Sequence, residues 1–375
     1  MQPQNLSNSV WRPGTERCVE LSAMGSVPGI GHDLVSKFDI QGLANTSWSY
    51  ASLLLPHLPI FAHIRRVVVP AVAGVAPVHS PGQRAADVFF EVARYANHLC
   101  QIVWSFSFAD RLDCELASQL KGLMLRTGRN LDEEYLALVG KRSIDRSVSQ
   151  RTSSEPMEAV KEPELQLRLR GVSVVLKPPN WEVDAKGQLS SSGLYLSQYM
   201  QREHTPGSPV LQLPDFEYGF IHRLDVPSSG LILTGTHFEG YELLQWQMHT
   251  YTIGREYSVL LSCLVPSSLR DINAPVNDFL PGQSFVDEMG RPAETHLKVT
   301  FHVIRQQRRW SAERFGLVCI AIHTGRRHQI RVHSRWEGHP TVTDERYSHR
   351  AIFVSSSGLE IELGLQLSGQ QRGVR

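Results

Sequence analysis

The chain has 375 residues, 41% of them hydrophobic and 8% aromatic, which is enough apolar mass for sizeable cores and excludes wholesale disorder. Lys and Arg total 38 against 37 Asp and Glu, so net charge neither supports nor excludes a nucleic-acid partner; clustering decides that. The five cysteines, Cys18, Cys100, Cys114, Cys263 and Cys319, are odd in number and never closely paired, which points to a reducing compartment and away from a disulfide framework or a zinc site.

This length predicts two domains. No uninterrupted apolar run approaches the ~20 residues that span a bilayer. The first residues, Met1 to Trp11, lack the basic-then-apolar plan of a signal peptide, so the expectation is a chain that starts here or a truncated one.

Gln4-Asn-Leu6-Ser-Asn8-Ser-Val-Trp11 recurs in register as Gln41-Gly-Leu43-Ala-Asn45-Thr-Ser-Trp48, and more loosely as Leu99-Cys-Gln-Ile-Val-Trp104-Ser-Phe106. A period in the thirties is the mark of helical pairs that stack into a solenoid. Trp48, Ala51 and Leu55 fall on one helical face, as do Leu99, Val103 and Phe106. This pattern resembles the octotricopeptide-type and FAST-kinase-type repeats of RNA-handling organellar proteins. That resemblance implies a mitochondrial or plastid address, with the cytoplasm as the alternative. The plain alternative for the repeats themselves is that Trp and Leu in this pattern are simply core.

Val67-Val-Val-Pro70 and the prolines from Pro77 to Pro81 predict an inserted loop over 66–85. Helical periodicity returns from Ala85 to about Val139, with Leu116, Leu120 and Leu123 at i, i+4 and i+7. Lys141 to Glu164 is rich in Ser and charge with hardly an apolar pair and reads as a solvated linker. The expected division is therefore a helical repeat-like region at 1–140, a linker at 141–164 and a second domain at 165–375.

In that second domain Leu165, Leu167 and Leu169 alternate with polar residues as on an edge strand. Val172 to Leu176 reads as a buried strand stopped by Lys177-Pro-Pro. Tyr195 to Arg202 and Phe238 to Tyr251 fit helices; Tyr257 to Leu264, His296 to Ile304 and Leu317 to Ile322 fit strands. The mixture predicts an α+β fold.

Between Phe220 and Leu233 the charged tetrapeptide His222-Arg223-Leu224-Asp225 and the turn Pro227-Ser-Ser-Gly230 are held between two apolar pieces. Such an arrangement suspends one carboxylate where its ionisation and direction can be controlled. Leu231-Ile232-Leu233 predicts a short buried strand. The bland alternative is an Asp225 that pairs with Arg223 or caps the turn. A second focus follows the strand ending at Ile322, where Arg326, Arg327 and Arg331 sit at a strand-to-helix junction with Gly338 as the stop. Positive charge beside free backbone N–H groups predicts an anion site. His323, His328, His333 and His339 are spaced five or six residues apart, which puts neighbours on different helix faces and predicts no metal.

His222-Arg-Leu-Asp225 followed by Ser229-Gly-Leu231 resembles the signature of the RluA-type pseudouridine synthases, His-Arg-Leu-Asp-x-x-Thr-Ser-Gly-Leu. Further blocks follow that family's order: Val174 to Asn180, Arg255-Glu-Tyr257, Gly290 to Thr295, Thr324-Gly-Arg-Arg-His-Gln-Ile-Arg-Val-His333, Gly338-His-Pro340 and Asp344 to Tyr347. The resemblance implies a pseudouridine synthase-like mixed sheet with a central cleft. It also implies an isomerase that flips a uridine of structured RNA, rRNA or tRNA, and returns pseudouridine. No cofactor or metal is implied, and a monomer is expected. Asp225 is then the essential carboxylate, nucleophile at the sugar or base at C2′, with Arg331 as its paired cation and Tyr257 as the aromatic over the uracil. His222, Arg223, Arg326, Arg327 and His328 would contact RNA, and Leu231 and Ile330 would wall the pocket. Ser228 for Thr, Asn180 for Gly, Arg255 for Lys, Arg327 for Thr and Thr343 for Gly depart from the pattern. The alternative is a non-catalytic RNA-binding or ribosome-assembly protein on the same fold.

Overall fold

A computed structural model describes residues 35–53, 59–73, 85–139, 161–184, 193–204, 208–279, 282–308 and 311–348. They form two compact units, Met1–Thr252 and Ile253–Arg375. Helices and antiparallel strands occur together, as an α+β fold requires.

Among the described residues, the first unit begins with four helices, α1 Ile40–Ser52, α2 Ile60–Ala73, α3 Ala85–Phe108 and α4 Cys114–Val139. Asp39 caps α1 by accepting the Gly42 N–H at 2.7 Å, the usual service of an Asp at that position. Phe61, Ile64, Leu99, Phe106 and Leu120 close a common core. The first copy of the Gln-x-Leu/Trp recurrence lies outside the described residues. The second and third lie on α1 and α3, where the Trp48 and Trp104 rings stand 6.4 Å apart. The inserted loop expected over 66–85 is corrected in its first part: α2 runs to Ala73, and the rest of that segment lies outside the described residues. Ile64 and Val68, at i and i+4, are buried in the helical core, so packing holds the valines helical despite their β-branching.

Strands β1 Glu164–Leu169, β2 Val172–Lys177 and β3 Gly230–Gly235 make an antiparallel sheet in that order, with helices α5 Leu196–Glu203 and α6 Phe238–His249 beside it. β1 is the edge strand that its alternation predicted. β3 exists where expected but is not wholly buried. As the other edge of a three-stranded sheet it alternates, with Ile232 inside and Leu231 59% exposed. Val88, Phe89 and Leu131 of the helices share a core with Val210, Phe216, Phe238 and Tyr241. Fully burying a side chain such as Phe238 contributes about 2 to 3 kcal/mol.

In the second unit β4 Glu256–Ser262, β5 Asp271–Asn273, β8 Glu294–Arg308 and β9 Ser311–Ile322 form an antiparallel sheet ordered β4-β9-β8-β5. A small hairpin, β6 Val276–Asn277 with β7 Phe285–Val286, and helix α7 Gln329–Trp336 complete it. One face of the sheet buries Leu261, Leu297, Val318 and Ile320. Gly338, at φ +81°, ends the turn after α7 as its position predicted.

Candidate active site

The Asp225 loop is closed at its base and pinned near its tip. Gly219, at φ +84°, begins it; a Cβ there would lie 2.2 Å from the Gly235 carbonyl oxygen, so only glycine fits so near β3. Phe220 then bridges to Thr234, and the Leu233 N–H donates to His222 Nε2 at 3.1 Å. That bond makes Nε2 an acceptor and gives His222 a role in holding its own loop. Beyond the carboxylate, the Ser228 N–H closes a turn on the Asp225 carbonyl at 3.0 Å.

The pin is the Val226 carbonyl, which accepts the Asn180 N–H at 2.8 Å and Lys177 Nζ at 3.2 Å. Asn180 takes φ +69°, the left-handed geometry that Asn tolerates in place of Gly. Lys177 is fully buried and also donates to the carbonyls of Pro178 and Trp181 at 3.1 and 2.8 Å. Burial pushes its ammonium down to about 8, and the charge of nearby Asp225 acts in the opposite sense. Lys177 is therefore part of this site. Sequence reading recognised the Lys-Pro turn without giving the lysine a role, and the signal was a lysine ending an otherwise apolar strand. Asp225 itself is half-buried, Arg223 is exposed, and Leu231 turns its side chain to the open face of β3.

Tyr257 and Arg331 belong to the second unit. Tyr257 lies on β4 opposite Ile320 of β9, half-buried, and Ile330 packs on the same core. Arg331, on α7, donates from Nε and Nη2 to the two oxygens of Asp344, each at 2.7 Å, and its guanidinium stands 4.8 Å from the centre of the Tyr347 ring. Burial raises the Asp344 pKa, but hydrogen bonds from Arg331 and Thr341 and the guanidinium charge outweigh that and leave it below the usual carboxylate range.

The strand-to-helix junction is held by a chain of side chains whose donors and acceptors all agree. The Glu294 N–H donates to Thr324 Oγ1, the Thr324 hydroxyl to Gln329 Oε1, and Gln329 Nε2 to the Glu294 carbonyl and Thr295 Oγ1. Thr295 bonds His333 Nδ1 at 2.9 Å, and His333 Nε2–H donates to the Ala274 carbonyl at 2.8 Å. Burial lowers the His333 pKa, which suits a neutral ring in that chain.

At the junction where an anion site is expected, the Arg326 N–H donates to Gln329 Oε1 at 2.9 Å and the Arg327 N–H donates toward Asp278 Oδ2 at 3.4 Å, so these two backbone donors already meet acceptors of the protein's own. The side chains act likewise: Arg326 Nε donates to the Pro292 carbonyl, and Arg327 reaches Ser284 Oγ and the carbonyls of Asp278 and Gln283. Arg327 is thus tied to the loop between β6 and β7, and Arg326 to the segment just before β8. His328, at φ +56°, bonds the Tyr347 hydroxyl at 2.8 Å. Among the described residues no three His, Cys, Asp or Glu side chains gather as metal ligands, and no helix is long and apolar enough to cross a membrane.

A solved human structure titled RNA Pseudouridylate Synthase Domain Containing 1 aligns with 53% of this chain and 74% of its own at 23% identity and a TM-score of 0.39. The RNA pseudouridine synthase YlyB of Bacillus subtilis, itself described as uncharacterized, is 34% identical over 149 residues, 39% of this chain and 46% of its own. Ribosomal large subunit pseudouridine synthase C of Buchnera aphidicola is 32% identical over 136 residues, 35% of this chain and 40% of its own. The chain spans less than half the length of these curated relatives. Residues 171–336, which contain Lys177, Asp225, Tyr257 and Arg331, match the family model of RNA pseudouridylate synthases, and over that stretch the chain is similar to that family.

Proposed function

We propose that this protein is an RNA pseudouridine synthase, an isomerase that converts uridine to pseudouridine in structured RNA, either rRNA or tRNA. The observation that carries the proposal is the match over 171–336 together with Asp225 lying on a loop pinned at Val226 by a buried lysine and a left-handed asparagine.

The reaction breaks the bond from N1 to C1′, turns the base and joins C5 to C1′; the C5 proton leaves and N1 gains one, so no electrons are transferred overall. Asp225 serves as nucleophile at the sugar or as base at C2′. Tyr257 stacks on the uracil and takes part in proton transfer at C5, and Arg331 supplies the cation that keeps Asp225 ionised away from water. The uridine is flipped from its stack, so looped RNA costs least to bind. His222, Arg223, Arg326, Arg327 and His328 line the RNA side, and Leu231 and Ile330 wall the base. The Leu/Trp recurrence on α1 and α3 supports a degenerate RNA-handling repeat in the helical region, and the protein acts as a monomer.

The test is tritium release from RNA carrying 5-tritiated uridine, prepared from cells lacking the protein. Wild type is expected to release it and Asp225→Ala to release none. RNA binding without release by the wild type would replace the isomerase with a non-catalytic RNA-binding or ribosome-assembly role.

A further inference from the structure

The Asp344 carboxylate accepts five hydrogen bonds. Oδ2 accepts Arg331 Nε at 2.7 Å and the Thr341 hydroxyl at 2.7 Å. Oδ1 accepts Arg331 Nη2 at 2.7 Å and the N–H groups of Arg346 and Tyr347, each at 3.1 Å. Two carboxylate oxygens offer about four lone-pair sites, so five donors saturate them. The side chain is 4% exposed. A group so filled and so covered cannot touch RNA or exchange a proton in a reaction cycle. What it can do is hold.

What it holds is one edge of a guanidinium. Arg331 has five N–H donors in a rigid plane, and a bidentate pair through Nε and Nη2 fixes both the direction of that plane and which edge faces away. Tyr347 adds a floor. Its buried ring lies under the guanidinium, and its hydroxyl accepts the Ser284 N–H at 3.2 Å while bonding His328 Nδ1 at 2.8 Å. The same short segment, Thr341 to Tyr347, thus supplies the counter-charge, the hydroxyl that steadies it and the ring beneath. Thr343, at φ +59°, makes the bend that brings them together.

We infer that Asp344 is a positioning residue for the isomerisation, which orients the Arg331 guanidinium by occupying its Nε/Nη2 edge. This rests on the role proposed for Arg331 above. A guanidinium released from that grip keeps its charge and loses its direction. The expected consequence is a slower chemical step with RNA affinity retained, since a misplacement of about 1 Å costs about a hundredfold in rate.

Asp344→Asn tests this directly, because the amide puts a donor against a donor and leaves at most a single bond to Arg331. Turnover is measured by tritium release, and the Arg331 Nε–H resonance is followed in 15N-labelled protein, assigned by its loss in Arg331→Lys. The expected result is a fall in kcat of about a hundredfold, KM within about threefold of wild type, and an Arg331 Nε–H that exchanges rapidly where the wild type protects it. A folded Asp344→Asn protein with wild-type kcat, or with Arg331 Nε–H still protected, overturns the inference. Failure of the wild type to release tritium while Asp344→Asn still loses the protected resonance would leave the positioning in place and remove the activity instead. Should Asp344→Asn not fold, Thr341→Val keeps the ion pair and deletes only its hydroxyl partner. Its kcat is expected to drop by about threefold to tenfold at unchanged KM, and a wild-type kcat there would count against the inference.

Discussion

The carboxylate of Asp132, on α4, caps a helix 106 residues further along the chain: it accepts the Phe238 N–H at 2.9 Å and the Glu239 N–H at 3.1 Å. His237, the residue at the N-cap position of α6, makes no side-chain cap bond. The cap is therefore supplied across the fold of the first unit, and the backbones are close enough for it because Gly128 faces that helix start. A Cβ at Gly128 would lie 2.7 Å from the Glu239 Cα. Asp132→Ala removes both acceptors and is expected to lower stability by about 1 to 2 kcal/mol, read as a shift in urea midpoint with an unchanged slope. An Asp132→Asn protein, which keeps one acceptor, should fall between. Equal loss in both would show that the charge, not the cap, is what matters.

Much of this arrangement was visible in one dimension, and the reasons for the exceptions are physical. Turns written by Gly and Asn were legible because left-handed backbone is a local property: Asn180 and Gly338 both take the geometry expected of them. The α+β mixture and the order of strands and helices followed from periodicity. What periodicity could not show was any pairing between distant residues. Asp132 at a helix start, Lys177 against three carbonyls and Asp278 against the Arg327 N–H are each decided by tertiary approach. The same blindness produced the loop expected at Val67 to Val69, since a run of β-branched residues before a proline looks irregular until Ile64 and Val68 find a core. The face of Leu231 also depended on β3 being an edge, which no residue of β3 reveals.

Glu242 is 1% exposed on α6, and the Cys100 thiol donates to it at 3.6 Å. Burial raises its pKa from 4.5 to about 8, a push that the thiol only partly opposes. The folded chain keeps a proton that the unfolded chain releases over that interval. Stability should therefore fall as pH rises from 4.5 through 8, by at most about 1.4 kcal/mol per pH unit, and level off above. Glu242→Gln should erase that dependence. Between pH 5.5 and 7.5 the wild type is expected to lose about 2 to 3 kcal/mol relative to the variant, and parallel urea midpoints for the two proteins across that range would refute the assignment.

Lys177→Met keeps the length and apolar stem of a side chain that nothing in solvent reaches, but it takes the donor from the carbonyls of Pro178, Trp181 and Val226. Unmade hydrogen bonds of this kind cost about 1 to 3 kcal/mol each, offset by the ammonium that no longer has to be buried. The expected net loss is about 2 to 3 kcal/mol, accompanied by faster amide exchange at Asn180, whose N–H shares the Val226 acceptor. A destabilised protein in which Asn180 exchange is unchanged would separate the lysine from the Asp225 loop.

Gln329 offers the sharpest test of the second unit, because every polar atom of its amide is spoken for. Oε1 takes the Thr324 hydroxyl and the Arg326 N–H, both at 2.9 Å; Nε2 gives to the Glu294 carbonyl at 2.9 Å and to Thr295 Oγ1 at 3.0 Å. The residue is 2% exposed. Gln329→Glu changes one atom and turns the donating end into an acceptor that faces two oxygens. If ionised, it also places an unpaired charge among buried groups. A loss of about 3 kcal/mol or more is expected at neutral pH, shrinking as pH falls and the new carboxyl takes up the proton that restores one donor. Gln329→Met, which removes donors and acceptor together, should cost less at pH 7 than Gln329→Glu and show no such recovery in acid. Chemical denaturation of both variants at pH 5 and pH 7 decides the matter: if the glutamate variant is no worse than the methionine variant at pH 7, the directional chain from Thr324 through Gln329 and Thr295 to His333 is not what fixes the start of α7.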